Sequence, residues 1–542
     1  MSISDAQDMM DQLASSKKPV VAAIMGSCLG GGLEVALACH YRIAVNDKKT
    51  QLGLPEVMLG ILPGAGGTQR LPALVDIGTS LPMMLTGAAK RVPQAKKMGL
   101  VDQVVEPLGP GVMPGPERTL EYLEEVAIEA AKDLASGKLK VNRKRPLRER
   151  VLRSAMKIGF VRKMIFDKAR EQVMKQTNGL YPAPLKIIDV VKTGVEQGME
   201  AGLAAEAKGF GELIFTPHSR ALIGLFHGRT QCTKNRFGKP NKVPENIAVL
   251  GAGLMGAGIA TVSLDNAGHN VIMKDANING LVRGEQQLRK VLDGKVKKKR
   301  MAPTDRDKLI SKLSAQLDYT GFENADVVIE AVVEDIKVKH RVVKEVEEII
   351  RPDCIFATNT SAISIASIAE ASKRPENVIG MHYFSPVEKM PLLEVVVTEK
   401  TSKEASARAV AVGLKQGKVV ITVKDAPAFY TTRILSFLMA EVIQQIQEGV
   451  DIVKMDKLTK SIGFPVGLVT LMDEVGFDTA MHITSYLQPI FGPRLSDRDA
   501  TAGKEMVDAG FCGEHFCGFF DSVVFLFCGL VVSVIFLIFR FL

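Results

Sequence analysis

The residues of this 542-residue chain best suited to chemistry form one glycine loop, one histidine with a nearby acid, and one pair of glutamates. Gly251-Ala-Gly253-Leu-Met-Gly256 follows the apolar run Ile247 to Leu250 and opens a stretch with helical spacing. In that setting the first glycine permits a tight turn, the second lets the backbone approach a pyrophosphate, and the third packs helix against strand. The N–H groups at the start of the helix then face the phosphates. Asp275 ends the next β-branched run, about 20 residues on, where a carboxylate accepts from ribose hydroxyls and repels a 2′-phosphate. The implied cofactor is NAD rather than NADP.

His382 closes the run Val-Ile-Gly-Met-His, at the strand end where doubly wound sheets gather their ligands. A neutral imidazole suits removal of a hydroxyl proton near pH 7 while hydride leaves for a nicotinamide. Glu394, in the following PLLEVVV segment, is placed to hold one imidazole tautomer and strengthen its basicity. On spacing alone, a buried structural histidine is the alternative. Glu34 follows the glycine run Gly30-Gly31-Gly32, and Glu56 lies in Leu54-Pro55-Glu56. Two such carboxylates divide acid and base roles when their surroundings separate their pKa values; a helix N-terminal acid favoured by the dipole is the alternative for Glu34.

The elements that must carry these residues are of α/β type. Val20 to Ile24 reads as a buried strand, followed by a glycine-rich turn, a small-residue helix from Leu33 and a strand near Tyr41 to Val45. Helices are expected from about Ala73 to Phe215, and the polar, basic stretch Thr230 to Pro244 reads as a linker. From Asn246, six short β-branched runs alternate with helices, which specifies a doubly wound parallel sheet. Two helical segments are expected between Ala276 and Leu317, and helices again after Lys424.

A chain this long exceeds one hydrophobic core, so several domains are required. Forty-six per cent hydrophobic residues and 48 glycines suit a globular enzyme and exclude a disordered or fibrous one. Seven scattered cysteines show no metal-ligand spacing and no disulfide framework, so no metal site is expected. The net charge of +9 concentrates partly between Lys138 and Arg170. That stretch reads either as a solvated helix face or as a contact for a membrane surface or a coenzyme phosphate; no nucleic-acid partner is expected. The first residues show no targeting signal. Ser522 to Phe539 is an uncharged apolar stretch at the lower edge of transmembrane length. It is either an aberrant terminal segment or a membrane anchor.

NTSAIS, GMHYFSP and LLEVV, with GAGLMG and IEAVVEDIKVK, resemble the 3-hydroxyacyl-CoA dehydrogenase family over Asn246 to Gly510. The resemblance implies a Rossmann-type domain followed by a helical one, NAD as cofactor and a coenzyme A thioester as substrate. It implies that His382 and Glu394 are the catalytic pair, Ser361 the contact to the substrate hydroxyl, and Glu334 and Lys339 the contacts beside the nicotinamide. Thr432 stands where single-function members carry a substrate-binding Asn, in the FYTTR version of multifunctional relatives, so activity is expected to survive. The basic arm Lys295 to Arg300 corresponds to a region facing the coenzyme A phosphates.

Gly26-Ser-Cys-Leu-Gly30 through Glu34, LPE and PGAGGTQRL are similar to the crotonase family, specifically enoyl-CoA hydratases. This implies that Glu34 and Glu56 activate water for addition to a 2-enoyl thioester, with the Gly31 N–H in the oxyanion hole. The order of the two halves is that of the multifunctional β-oxidation enzymes, nearest to the mitochondrial trifunctional α subunits. A mitochondrial location and a thiolase β-subunit partner are implied with it. The family's upstream strands would precede Met1, and Met25 replaces its usual Asn; weak or absent hydratase activity is therefore expected. The domains expected are a partial crotonase-like domain at 1–190, a helical linker at 191–242, the NAD-binding domain at 243–425, a partial helical domain at 426–513 and an apolar tail at 514–542. A non-catalytic, membrane-attached subunit binding CoA esters or a partner is the alternative function.

Overall fold

The computed structural model describes residues 3–495 except 110, 113, 142–149, 152–153 and 465, together with 505 and 508. The chain divides into two compact units, Met1–His227 and Gly228–Leu542.

In the first unit, β1 (Val21–Ile24), β3 (Tyr41–Val45) and β6 (Gln103–Val105) form a parallel sheet in the order β1-β3-β6. A second small sheet joins β2 (Ser27–Leu29), β4 (Gln51–Gly53) and β5 (Lys90–Arg91), with β4 in the middle. The helix Gly31–Ala38 starts directly after β2, so the glycine run becomes a strand-to-helix turn. Leu33, Leu52, Leu62 and Leu71 form the centre of its core.

Part of the stretch expected as a linker belongs to that core. Helices Pro182–Gln197 and Met199–Ile214 bury Ile187, Ile188, Val191 and Leu213 against it. Glycines permit the close crossing: a methyl at Gly202 would stand 2.8 Å from the Gly194 Cα and 2.3 Å from the Gln69 side chain. Apolar burial, at about 25 cal/mol per Å², draws these helices onto the core rather than leaving them as a separate helical connection. The basic stretch lies partly outside the described residues. Within them, Arg162 pairs with Glu196 at 3.1 Å and Arg170 pairs with Asp189, so these two cations brace one helix against the next.

The second unit is built on eight strands in the order β14-β13-β12-β11-β10-β7-β8-β9. They are β7 (Asn246–Leu250), β8 (Asn270–Lys274), β9 (Leu313–Gln316), β10 (Val327–Glu330), β11 (Ile355–Thr358), β12 (Val378–Tyr383), β13 (Leu392–Val397) and β14 (Val419–Lys424). The sheet is mixed rather than wholly parallel, because β13 pairs antiparallel with β12. The connection from Tyr383 to Leu392 is too short for a crossover, which needs a dozen or more residues. Strands β9 and β14 have no counterpart in the sequence expectation. Both are edge strands with part-exposed residues, and Leu-Ser-Ala-Gln carries no apolar run.

The central strands β7, β10 and β11 run parallel, with Leu250, Glu330 and Thr358 level with one another at their carboxyl ends. Beyond β14 come helices Thr431–Gln447, Ile452–Ser461, Leu468–Val475 and Phe477–Phe491. Val442, Ile443, Met455 and Leu471 form their own small core. Among the described residues no helix is long and apolar enough to cross a membrane; the apolar stretch Ser522 to Phe539 lies outside them.

Candidate active site

The glycine loop after β7 has the form its spacing requires. Gly251 has φ +92°, and a methyl there would stand 2.5 Å from the Ala331 carbonyl oxygen. At Gly256 a methyl would come within 1.8 Å of the Gly251 carbonyl oxygen, so only glycine lets the helix Leu254–Asp265 start so close to the strand. Beside Gly253, the N-cap of that helix, the space is open. That opening leaves the N–H groups at the helix start accessible to a phosphate.

Asp275 follows β8, and its carboxylate accepts from Ala252 N at 2.7 Å and Asn277 N at 2.9 Å. Together with Ala252, Gly253, Arg283 and Gln287 it lines a cavity of about 440 Å³. An open cradle at a helix start, edged by a carboxylate and backed by glycines, fits a dinucleotide. The backbone at Gly253 would meet its pyrophosphate, with Gly251 and Gly256 shaping the turn behind it, and Asp275 would meet its adenine ribose.

His382 and Glu394 are brought together by the antiparallel pairing of β12 and β13, which sets them directly opposite one another. Facing side chains on adjacent strands are the shortest route between two sequence-distant groups. His382 Nδ1 lies 2.7 Å from Glu394 Oε2, and both residues are buried. The other carboxylate oxygen accepts from Thr431 N at 3.0 Å. Burial alone would raise the Glu394 pKa, but the hydrogen bond and charge of His382, with the Thr431 N–H, hold it below the ordinary carboxylate value.

Thr431 begins the helix Thr431–Gln447, so its N–H is one that the helix leaves without an internal acceptor. It is delivered there by Ala428 and Phe429, both in the left-handed region at φ +56° and +51°. Two consecutive non-glycine residues in that region store strain of the kind found where a site is over-determined by its surroundings. Phe429 and Phe384 set their rings 5.8 and 4.4 Å from the imidazole.

With Glu394 accepting from Nδ1–H, the imidazole Nε2 is left as an acceptor, a tautomer assigned from the network. The Ser361 hydroxyl donates to it at 3.1 Å. Ser361 is itself held by Glu334, whose Oε1 accepts from Ser361 N at 3.1 Å and from the Thr360 hydroxyl. Lys339 lies on the helix Ile336–Glu347, with its ammonium 3.2 Å from Glu334 Oε2. Lys339 is fully enclosed, whereas the Glu334 side chain is 32% exposed; Glu334 is therefore the member of this pair that faces outward. The enclosed ammonium has a second partner that the sequence reading missed. Glu330, at the end of β10, binds it through both oxygens at 2.8 and 3.1 Å. A signal existed: an acid inside the apolar run Val-Val-Ile-Glu-Ala-Val-Val must be paired if buried.

The first unit collects a second set of acids. Glu34 lies in the first turn of Gly31–Ala38, the helix that begins with the Gly31 N–H. Its Oε1 accepts from Ala65 N at 2.7 Å and Gly67 N at 2.8 Å. The N–H groups that follow each of these go to Glu206, which accepts from Gly66 N at 2.6 Å and Thr68 N at 3.0 Å. Four successive amides thus alternate between two buried carboxylates. Glu206, on the helix Met199–Ile214, was not anticipated from sequence, where it is one acid among many on a helix.

Burial raises all three carboxyl groups of this cluster. Glu34 is pushed up by burial, in part offset by the Gly67 and Ala65 N–H groups and by Arg70. Glu206 is pushed up to about 7 by burial and by the charge of Glu34, against the Thr68 and Gln7 hydrogen bonds. Glu56 is pushed up to about 8, first by burial and then by the charges of Glu34 and Glu206. Its Oε2 is buried without a hydrogen-bond partner among the described residues. One acid kept protonated near neutral pH beside one fixed by amides is an arrangement able to separate donor from acceptor.

Residues 246–426 match the family model of the 3-hydroxyacyl-CoA dehydrogenase NAD binding domain. Residues 2–148 match enoyl-CoA hydratase/isomerase, and 429–520 match the 3-hydroxyacyl-CoA dehydrogenase C-terminal domain. The chain carries a hydratase-type domain followed by an NAD-binding 3-hydroxyacyl-CoA dehydrogenase domain. It is similar to the fatty acid oxidation complex subunit alpha of Shewanella amazonensis, at 48% identity over 480 residues, 88% of this chain and 65% of the relative. The protein of the same name in Shewanella putrefaciens is 46% identical over 488 residues, 90% of this chain and 66% of its own length. The chain therefore spans about 65% of the length of these curated relatives, and both are bacterial. Among solved structures, the (S)-3-hydroxybutyryl-CoA dehydrogenase of Ralstonia eutropha is 31% identical, with a TM-score of 0.48 over 50% of this chain and 96% of that one.

Proposed function

We propose that this β-oxidation chain oxidises 3-hydroxyacyl-CoA thioesters with NAD, using His382 as the base that takes the hydroxyl proton. The observation that carries this reading is the imidazole held between Glu394 and Ser361, with Nε2 turned to a hydroxyl. Ser361 marks the side from which an alcohol proton would be delivered. Glu394 keeps the imidazole in the accepting tautomer and stabilises the imidazolium that forms. NAD, when bound, supplies the hydride acceptor. The burial of His382 and its flanking rings keep water from competing for the proton.

The same reading gives the first unit addition of water to a 2-enoyl-CoA. Glu56, protonated near neutral pH, is the donor; Glu34, oriented by Ala65 and Gly67, draws the proton from water, and the Gly31 N–H faces the developing enolate oxygen. A finer reading, supported by the motif resemblance alone, makes the chain a mitochondrial-type α subunit that pairs with a thiolase β subunit at a membrane surface.

The deciding experiment incubates the purified chain with NAD and a 3-hydroxyacyl-CoA while following NADH. Turnover lost in His382→Ala is expected. No turnover in the parent chain would remove the oxidoreductase reading. Co-purification with a thiolase subunit tests the finer one.

A further inference from the structure

We propose that Glu330 is a positioning residue of the dehydrogenase, holding the Ser361 hydroxyl on His382 through Lys339 and Glu334. The proposal rests on the NAD-dependent oxidation argued above. Among the described residues Glu330 makes no hydrogen bond to the imidazole; its side chain acts on the site through Lys339 and Thr358.

Its carboxylate is fully buried and receives four donations. Lys339 Nζ binds both oxygens, the Thr358 hydroxyl binds Oε1, and Val332 N binds Oε2 at 3.1 Å. Its backbone carbonyl accepts from Asn359 N at 2.9 Å. Glu330 thus grips the end of β11 twice, immediately before the turn that carries Ser361. From Lys339 the chain of contacts continues to Glu334, then to Thr360 and Ser361, and ends on His382 Nε2.

Stability is a weak reason for such a pair. Replacing a buried ion pair by apolar residues is often neutral or stabilising, because desolvating two charges offsets their attraction. Geometry is the stronger reason. With Glu330 neutralised, Lys339 keeps one carboxylate partner, Glu334, which has solvent on one side. The ammonium and Glu334 then relax outward together, and Glu334 releases the Thr360–Ser361 turn. The hydroxyl loses its place on the imidazole while the fold around it stands.

The test is a double-mutant cycle read by kcat for NAD reduction and by amide exchange across residues 358–363. Glu330→Gln is expected to lower kcat about 10- to 100-fold, the scale of a misplacement near 1 Å. In a Ser361→Ala background the same substitution should change kcat less than about twofold, since the group it positions is gone. Exchange at the Ser361 amide should be faster in Glu330→Gln. Equal losses in both backgrounds would assign Glu330 a general structural role and overturn the proposal, as would unchanged exchange. Should the parent chain fail to reduce NAD, the functional reading falls, and the exchange measurement alone decides the positioning role. If Glu330→Gln does not fold, Thr358→Val loosens the same carboxylate without stranding Lys339; a smaller loss that again vanishes with Ser361→Ala supports the proposal.

Discussion

Two buried carboxylates, one in each unit, are shifted in opposite directions. Glu394 is enclosed yet held low, because an imidazole and a helix-start N–H meet its two oxygens. Glu56 is enclosed and pushed up to about 8, because one oxygen has no partner among the described residues and its neighbours are two further acids. The difference shows that burial sets only the size of the problem. The donors that the surrounding elements supply decide whether the charged or the neutral form is kept.

The comparison is broken most severely by changing what each acid does for chemistry. Glu394→Gln should lower the rate of NAD reduction about 10³- to 10⁴-fold, as removal of a carboxylate that fixes the imidazole tautomer does elsewhere. NAD affinity, measured by fluorescence titration, should be unchanged. If Glu394→Gln retained most of the activity, the imidazole would not depend on its partner. In the first unit, Glu56→Gln should lower the hydration rate about 10²- to 10⁴-fold, because an amide cannot supply the proton; 2-enoyl-CoA consumption measures it.

Stability against pH sharpens the contrast without any substrate. Glu56 has a folded pKa above its ordinary value of 4.5, so the folded state holds more protons between about 4.5 and 8. Its contribution is present below that window and is lost as pH rises through it. Glu394 has a folded pKa below its ordinary value; its contribution is present at neutral pH and is lost as pH falls through the folded pKa. Glu56→Gln should therefore stabilise the chain at pH 9 by about 1–3 kcal/mol, the scale of one unsatisfied buried group. At pH 5 it should change little. Glu394→Gln should destabilise at pH 7, and less under acid conditions. Denaturant midpoints at the three pH values give both signs; like signs for the two variants would end the comparison.

The smallest effect is expected at Glu206. Glu206→Gln keeps an acceptor for the Gly66 or Thr68 amide and removes a like charge beside Glu34 and Glu56. A stability change within about 1.5 kcal/mol is expected. The Glu56 titration, followed as the alkaline limb of hydration, should move to lower pH.

What could be read in the chain without its fold was the local chemistry. Glycine spacing dictates a backbone shape by itself, so the dinucleotide loop and Asp275 were legible. His382 was a candidate because a strand end is where a sheet presents polar groups, but its pairing with Glu394 was implied by the family resemblance of GMHYFSP and LLEVV. What stayed hidden were the partners of residues whose types are ordinary, whether distant in sequence, as Thr68 is from Glu206, or near, as Lys339 is to Glu330. Glu206 on a helix and Glu330 closing a strand become informative only once packing has removed water from them.

The amino-acid sequence on its own determined the two α/β halves and the glycine turn after β7, because periodicity and glycine placement act over a few residues; the proposed reacting groups came from the family resemblance of their motifs. Only the tertiary structure decided that β13 turns back against β12 to set Glu394 opposite His382, that Thr431 presents its N–H from a strained turn, and that helices 182–214 join the core of the first unit. Those outcomes depend on which surfaces exclude water together, a property of the whole fold that no short stretch of residues carries.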